Sequence, residues 1–129
     1  EARDINQAVL MAESLTEELK AGAEPRWSQQ LPDRNIWQHL AEADDENEDY
    51  AEWNRELVES DGYEGMHAIY WDSSWRVTEP DFNTPYLGIV YQGTVDGMRR
   101  TDVLVLRYGK GDDRGELLYR LQTESYEAQ

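Results

Sequence analysis

The fold of this chain is decided by residues 86–108, which read YLGIVYQGTVDGMRRTDVLVLRY. Two runs rich in β-branched and aromatic side chains, residues 86–95 and 98–108, flank the dipeptide Asp96-Gly97. Asp-Gly between such runs favours a two-residue type I′ turn, because both central positions of that turn need a positive φ. The stretch therefore predicts a β-hairpin, in which the last residue of the first strand faces the first residue of the second.

This register gives the hairpin two different faces, because successive side chains of a strand point to opposite sides. The first face is fully apolar and should pack on helices; it carries Leu87, Ile89, Tyr91, Leu104 and Leu106. The second face mixes apolar and polar groups and carries Tyr86, Gly88, Val90, Val103, Val105 and Arg107. A mixed face of this kind suits a partly covered surface, a shallow pocket or an interface.

Further strands are predicted on both sides of the hairpin. Residues 66–71 and 75–78 are short aromatic and β-branched runs separated by the turn-forming residues 72–74. Residues 116–122 form the last strand, after a polar turn over residues 109–115. Together these runs predict an antiparallel meander sheet of four or five strands.

The first half of the chain has the periodicity of helices. Apolar side chains recur at three- and four-residue steps from Ile5 to Leu19, which predicts a helix over residues 4–21, with Asp4 and Gln7 as a capping box. Two more helices are predicted, over residues 33–43 and 46–60. The alternative is one continuous helix, but the acidic run at 44–49 suits a new N-terminus, where the macrodipole favours carboxylates.

The predicted fold is therefore α+β, with the N-terminal helices packed on one face of a C-terminal antiparallel sheet of four or five strands. Its 129 residues form one domain, with an acidic helical half, 1–65, and a sheet half, 66–129. The order of elements is compatible with the broad cystatin-like or nuclear-transport-factor-like layout, an analogy of element order alone.

The chain is strongly acidic, with 28 acids, 12 bases and a formal net charge of −16. Residues 36–65 contain 11 acids and a single base, Arg55. Such a surface repels phosphates, which argues against direct binding of nucleic acid, and it attracts basic proteins. No apolar run is long enough to cross a membrane. Solubility and adaptation to high salt are two alternative reasons for the acidity.

The acidic helical region is the strongest candidate for a binding surface. Five carboxylates recur at three- and four-residue steps, with Trp53 at their margin; they are Asp45, Asp49, Glu52, Glu56 and Glu59. On a helix these steps are about 4.5–6 Å along the axis, so the row imitates sparsely the phosphates of one DNA strand. The sequence predicts a small non-catalytic protein that docks on a basic protein surface, as a DNA mimic, an anti-defence inhibitor or a toxin-immunity protein.

The main alternative is a pocket on the mixed sheet face that binds or converts a small molecule. Its residues would be His67, Tyr86 and Arg107, and an acid–base pair of His67 with Asp72 or Asp102 is conceivable there. The same face offers a surface for a homodimer. No catalytic residue is assigned, so an enzymatic role is the weaker hypothesis.

No cofactor or metal is predicted, because the chain has no cysteine and its one metal-like spacing is incomplete. Asp45, Asn47, Asp49 and Glu56 match positions 1, 3, 5 and 12 of an EF-hand loop, but Tyr50 stands where the loop needs glycine. Residence in the cytoplasm is expected, since no basic segment followed by an apolar stretch marks a signal peptide.

Overall fold

A computed structural model of the chain describes residues 2–32, 36–81, 83–107 and 116–126. Within these residues the helices are α1 (Ala2–Lys20), α2 (Ile36–Ala43) and α3 (Glu48–Val58), with a short 3-10 helix at Asp45–Asn47 before α3. The strands are β1 (Gly62–Trp71), β2 (Val77–Thr78), β3 (Tyr86–Val95), β4 (Met98–Arg107) and β5 (Glu116–Tyr126).

The strands form one five-stranded sheet in the order β2-β1-β3-β4-β5, and every neighbouring pair is antiparallel. The predicted α+β class, with helices first and an antiparallel sheet second, is therefore confirmed. One connection departs from a strict meander, because β3 pairs with β1 and leaves the two-residue β2 at the edge. Strands β1 and β5 are also longer than predicted, since β1 begins at Gly62 and β5 continues to Tyr126.

The central hairpin has the predicted turn and register. Asp96 and Gly97 have φ values of 51° and 80°, as a type I′ turn requires. Val95 lies opposite Met98, and the pairing continues without a shift to the far end of the hairpin. The apolar face of the hairpin is therefore assembled as the sequence indicates.

The helices cover both faces of the sheet, so the prediction that they all pack on one face is wrong. Helices α2 and α3 pack on the apolar face of Leu87 and Leu104. Helix α1 packs on the opposite face, where its Ala8, Ala12 and Leu15 belong to a second core. The physical reason is that β1 and β5 supply that face with further apolar groups, and an apolar face must be covered.

The first helix ends where predicted but begins differently. Gly22 has a φ of 78° and follows the last turn, as a helix stop requires. At the other end α1 already includes Asp4, which therefore does not cap the helix. Instead, the Asp4 carboxylate accepts hydrogen bonds from the Tyr86 hydroxyl, at 3.1 Å, and from Arg107 Nη2, at 2.6 Å. These two bonds fasten α1 to β3 and β4.

The acidic region forms two helices, as the charge argument predicts. Helix α2 ends at Ala43, and Asp44 Oδ1 accepts a hydrogen bond from the Glu46 backbone N–H at 3.0 Å. Helix α3 then begins with Glu48 and Asp49 in its first turn. The predicted start of the second helix, residues 33–35, and the predicted turn over 109–115 lie outside the described residues.

Candidate functional site

The predicted carboxylate row lies on the outer side of α3 and of the turn before it. Helix α3 buries Ala51, Asn54 and Leu57 against the sheet. The five predicted carboxylates are all exposed, and we call them the acidic face: Asp45, Asp49, Glu52, Glu56 and Glu59. Four of them lie on α3 or at its C-cap, and from Asp49 to Glu59 they span about 15 Å along the helix axis. The structure thus brings these predicted residues together.

Two of these five carboxylates have a basic partner among the described residues. Glu52 pairs with Arg55 at 2.6 Å, and both side chains are at least half exposed. Glu56 accepts a bond from Arg100 Nη2 at 3.0 Å. In the part of the chain that the structure describes, Asp45, Asp49 and Glu59 make no ion pair. The acidic face therefore keeps a net negative charge at its surface.

Trp53, predicted at the margin of the acidic face, belongs to a packed cluster. Its indole N–H donates to Glu124 at 3.3 Å, and the Arg100 guanidinium lies 4.7 Å from its ring centroid. Arg100 in turn contacts Glu56 and Glu124, and its side chain is only 11% exposed. This cluster ties α3 to β4 and β5, so the backbone that carries the acidic face is held firmly against the sheet.

A buried carboxylate lies beneath the same helix. Asp102 of β4 is fully buried, and its Oδ2 atom accepts three hydrogen bonds, from Trp37 Nε1 at 2.9 Å, Asn54 Nδ2 at 2.7 Å and Gln122 Nε2 at 3.1 Å. Its Oδ1 atom has no hydrogen-bond partner among the described residues. Burial raises the pKa of Asp102 to about 6, although the three bonds and the nearby Arg120 oppose that change.

The sequence interpretation missed this role of Asp102, although a signal for it was present. In the hairpin register Asp102 shares the apolar face with Leu104 and Leu106. A carboxylate on a core face must find donors, because an unpaired buried charge is strongly unfavourable. Its donors come from three other elements, which the register alone does not identify.

The EF-hand-like spacing forms no metal site. Asn47 is buried and holds structure instead, since its Nδ2 donates to the Leu40 carbonyl at 3.3 Å and its Oδ1 accepts from Arg120 at 2.6 Å. The Arg120 guanidinium also lies 3.6 Å from the ring centroid of Tyr50. Among the described residues, no group of three or more His, Asp or Glu side chains is placed to hold a metal ion.

The mixed sheet face contains the predicted pocket residues but is covered by α1. Tyr86 and Arg107 are paired across β3 and β4, and both donate to Asp4 of α1. The ring of Trp75 stacks on Tyr86 with centroids 3.7 Å apart. Helix α1 therefore fills the space in which this pocket, or a dimer interface through the same face, was predicted.

His67 lies on that face too, but away from the other two residues. It pairs with Val90, four positions along β3 from Tyr86, and its ring stacks on Trp27 at 4.8 Å between centroids. Asp102 points to the opposite face, in register with the core of α2 and α3. The conceivable acid–base pair of His67 with Asp102 is therefore not assembled.

A cavity lies on the other side of the sheet, between α2, α3, β1 and β3. Its volume is about 550 Å³, within the range of small-molecule sites, about 300–1,000 Å³. Buried residues form its floor, among them Trp37, Asn54 and Tyr91. Trp37 and Asn54 are also donors to Asp102, so the floor of the cavity rests on the buried carboxylate.

Fold and sites together define the class: a small acidic α+β protein with a carboxylate-rich outer helix and a cavity behind it. No protein family, characterised protein or solved structure matches this chain. None of the helices in the described residues combines the length and apolar composition needed to cross a bilayer.

Proposed function

We propose that this chain is a non-catalytic binding protein whose acidic face docks on a basic surface of a partner protein. One observation carries the proposal: five exposed carboxylates follow one side of α3 and its preceding turn, and three of them have no basic partner among the described residues. A chain of net charge −16 adds a long-range field of the same sign. Such a field accelerates encounter with a basic partner and repels nucleic acid.

The spacing of the carboxylates along the helix indicates which kind of partner surface would match them. Steps of about 4.5–6 Å along the helix are wider than the one phosphate per about 1.7 Å of duplex DNA, counted over both strands. The acidic face therefore imitates part of the charge of one strand. A cleft that normally holds nucleic acid, in a defence protein or in a cationic toxin, offers the matching row of bases.

The packing of α3 supports this proposal, because it positions the carboxylates before a partner arrives. Asn54 is bonded to Asp102 beneath the helix, and Glu56 is bonded to the nearly buried Arg100. A backbone already held in its bound position loses less conformational entropy on association, which strengthens binding.

Capture from a lysate of the source cells tests the proposal when three forms of the protein are compared. The test variant is Asp45→Asn, Asp49→Asn, Glu52→Gln and Glu59→Gln; it keeps Glu56, whose bond with Arg100 is structural. The control is Glu13→Gln, Glu17→Gln, Glu18→Gln and Glu24→Gln, which removes the same charge from exposed positions on and just after α1, on the opposite side of the sheet.

We expect wild type and control to retain the same basic protein at about 50 mM salt and to lose most of it at about 300 mM, because salt screens exposed charges. The test variant should retain little of it at either salt concentration. Equal capture by the test variant and wild type contradicts the proposal, as does the absence of any partner common to wild type and control.

A further inference from the structure

The cavity behind α3 has a built floor and an open rim. Its floor consists of side chains that are at most 5% exposed, namely Trp37, Ala51, Asn54 and Tyr91. Tyr63 and Met66 of β1 form a half-buried wall. Exposed residues surround the mouth: Leu31, Gln38, Arg55, Val58 and Glu59. A cavity with a volume of about 550 Å³ holds a molecule larger than a single amino-acid side chain.

The cavity walls favour a ligand with a flat, apolar body. Three aromatic residues take part in the lining, Trp37, Tyr63 and Tyr91, and Met66 and Val58 add flexible and branched apolar surface. Aromatic side chains offer large areas for stacking, and methionine adapts its shape to irregular ligands.

The polar groups of the floor argue against an anionic ligand. The Trp37 indole N–H and an Asn54 amide N–H both donate to Asp102, at 2.9 and 2.7 Å. These two donors are therefore directed towards the buried carboxylate. An anion in the cavity would meet a floor that lies over a carboxylate and whose Trp37 and Asn54 donors are engaged by that carboxylate, which is electrostatically unfavourable.

The rim favours a cation. Arg55 is directed to Glu52 by an ion pair of 2.6 Å, whereas Glu59 makes no ion pair in the described part of the chain. A cationic group at the mouth therefore gains the attraction of Glu59 and of the net charge of −16.

We infer that the cavity binds a small organic cation that joins a flat, apolar ring to an amine. The ring lies against the aromatic wall, and the ammonium group lies at the rim near Glu59. This inference shares Glu59 with the acidic face but does not require partner docking, because it rests on the cavity, on the donors of its floor and on the charge at its rim.

The test uses three probes that share an indole ring and differ in charge: tryptamine, tryptophol and indole-3-acetate. Binding is followed by NMR through the indole N–H signals of the tryptophans. We expect tryptamine to shift the signal of Trp37 but not that of Trp27, which lies on the other side of the sheet with His67. We also expect tryptamine to bind about threefold or more tightly than tryptophol, from one partly screened charge pair, and indole-3-acetate to bind most weakly.

Two variants separate the cavity from general attraction of a cation to an acidic protein. Glu59→Gln should bring the affinity for tryptamine close to that for tryptophol, while Glu48→Gln, an exposed change on the same helix outside the cavity, should leave both affinities unchanged. Val58→Trp places a large ring at the rim and should weaken binding of tryptamine and tryptophol alike, with native far-UV circular dichroism as the check of folding.

Three results overturn the inference: no shift of Trp37 at millimolar tryptamine, binding by indole-3-acetate as tight as by tryptamine, or unchanged binding in a folded Val58→Trp variant. Capture of a basic partner by Val58→Trp and by wild type is measured in parallel. If wild type captures its basic partner but tryptamine does not shift the Trp37 signal of wild type, the cavity inference is wrong and the proposed docking function stands.

Discussion

At the scale of single residues, Asp102 is the most unusual position in the core. Its carboxylate is fully buried, and three donors from two helices and a strand converge on one of its oxygens. Burial raises its pKa from the ordinary 3.8 to about 6. The folded chain therefore binds this proton more tightly than the unfolded chain does, so stability falls as the pH rises from about 4 to about 6 and stays lower above that range.

The substitution Asp102→Asn should remove this dependence on pH. The full effect of the raised pKa is about 3 kcal/mol, of which about 1.4 kcal/mol falls between pH 5 and pH 7.5. The free energy of unfolding of Asp102→Asn minus that of wild type should therefore be about 1–2 kcal/mol larger at pH 7.5 than at pH 5. Urea unfolding at both pH values measures it, and the exposed change Asp45→Asn serves as control. A constant difference between Asp102→Asn and wild type contradicts a raised pKa.

Gly88 in β3 is a second residue whose identity is dictated by its neighbours. A Cβ atom there would lie 2.5 Å from Trp71 Cη2 and 2.9 Å from Ile69 Cγ2. Gly88→Ala should therefore destabilise the protein by about 1–3 kcal/mol through overpacking. In the Trp71→Phe background, which removes the clashing ring atoms, the same change should be less destabilising. Urea unfolding of wild type, Gly88→Ala, Trp71→Phe and the double variant measures both effects. An equal loss of stability in the two backgrounds refutes the steric explanation.

At the scale of elements, the docking of α1 depends on polar bonds at its first turn. The Arg107 hydrogen bond holds the pKa of Asp4 below its ordinary value, so this carboxylate stays ionised at neutral pH. Asp4→Asn should weaken the bonds to Arg107 and Tyr86 and loosen the start of the helix. Amide hydrogen exchange should then become faster in the first turns of α1 but not in α3. Glu13→Gln, an exposed change on α1, should leave exchange as in wild type; unchanged exchange in Asp4→Asn contradicts the anchoring role.

Comparison of elements shows which parts of the fold the sequence determines locally. The hairpin was predictable because Asp96-Gly97 selects the turn and the alternation then sets the register. The division of the acidic region into two helices was predictable from the preference of carboxylates for a helix N-terminus. The side of the sheet that α1 covers was not predictable, because it depends on apolar groups that β1 and β5 add to the mixed face.

The candidate site also has one part that follows from local sequence and another part that depends on tertiary packing. The row of exposed carboxylates on α3 and the turn before it follows from helical spacing, so its exposure was predictable, whereas its role in binding a partner stays a prediction. The partners of that row come from distant positions: Arg100 from β4 for Glu56, and Glu124 from β5 for Trp53. The cavity is equally a product of tertiary packing, since it forms between two helices and two strands that no local pattern brings together.

At the scale of the whole molecule, the charge of −16 should make stability depend on salt. Carboxylates on the acidic face repel one another at low salt, and the Debye length falls from about 30 Å at 0.01 M to about 8 Å at 0.15 M. We expect the Tm of wild type to rise over this range and then to level off. The variant with four neutralised carboxylates should show a smaller rise. Differential scanning calorimetry measures the Tm of both proteins. A wild-type Tm that keeps rising steeply up to about 2 M salt favours adaptation to high salt.

The docking function depends on the sign and place of this charge, and one measurement tests it most directly. It is the dissociation constant of the captured basic protein for three forms of the chain, at about 50, 150 and 300 mM salt. The three forms are wild type, the test variant with four neutralised carboxylates on the acidic face (the acidic-face variant), and the control variant with four neutralised carboxylates on and just after α1. We predict that wild type and control bind with the same affinity and the same steep loss with salt, and that the acidic-face variant binds more weakly and with a shallower dependence on salt. Equal dissociation constants and equal salt dependence for the acidic-face variant and wild type would contradict the account.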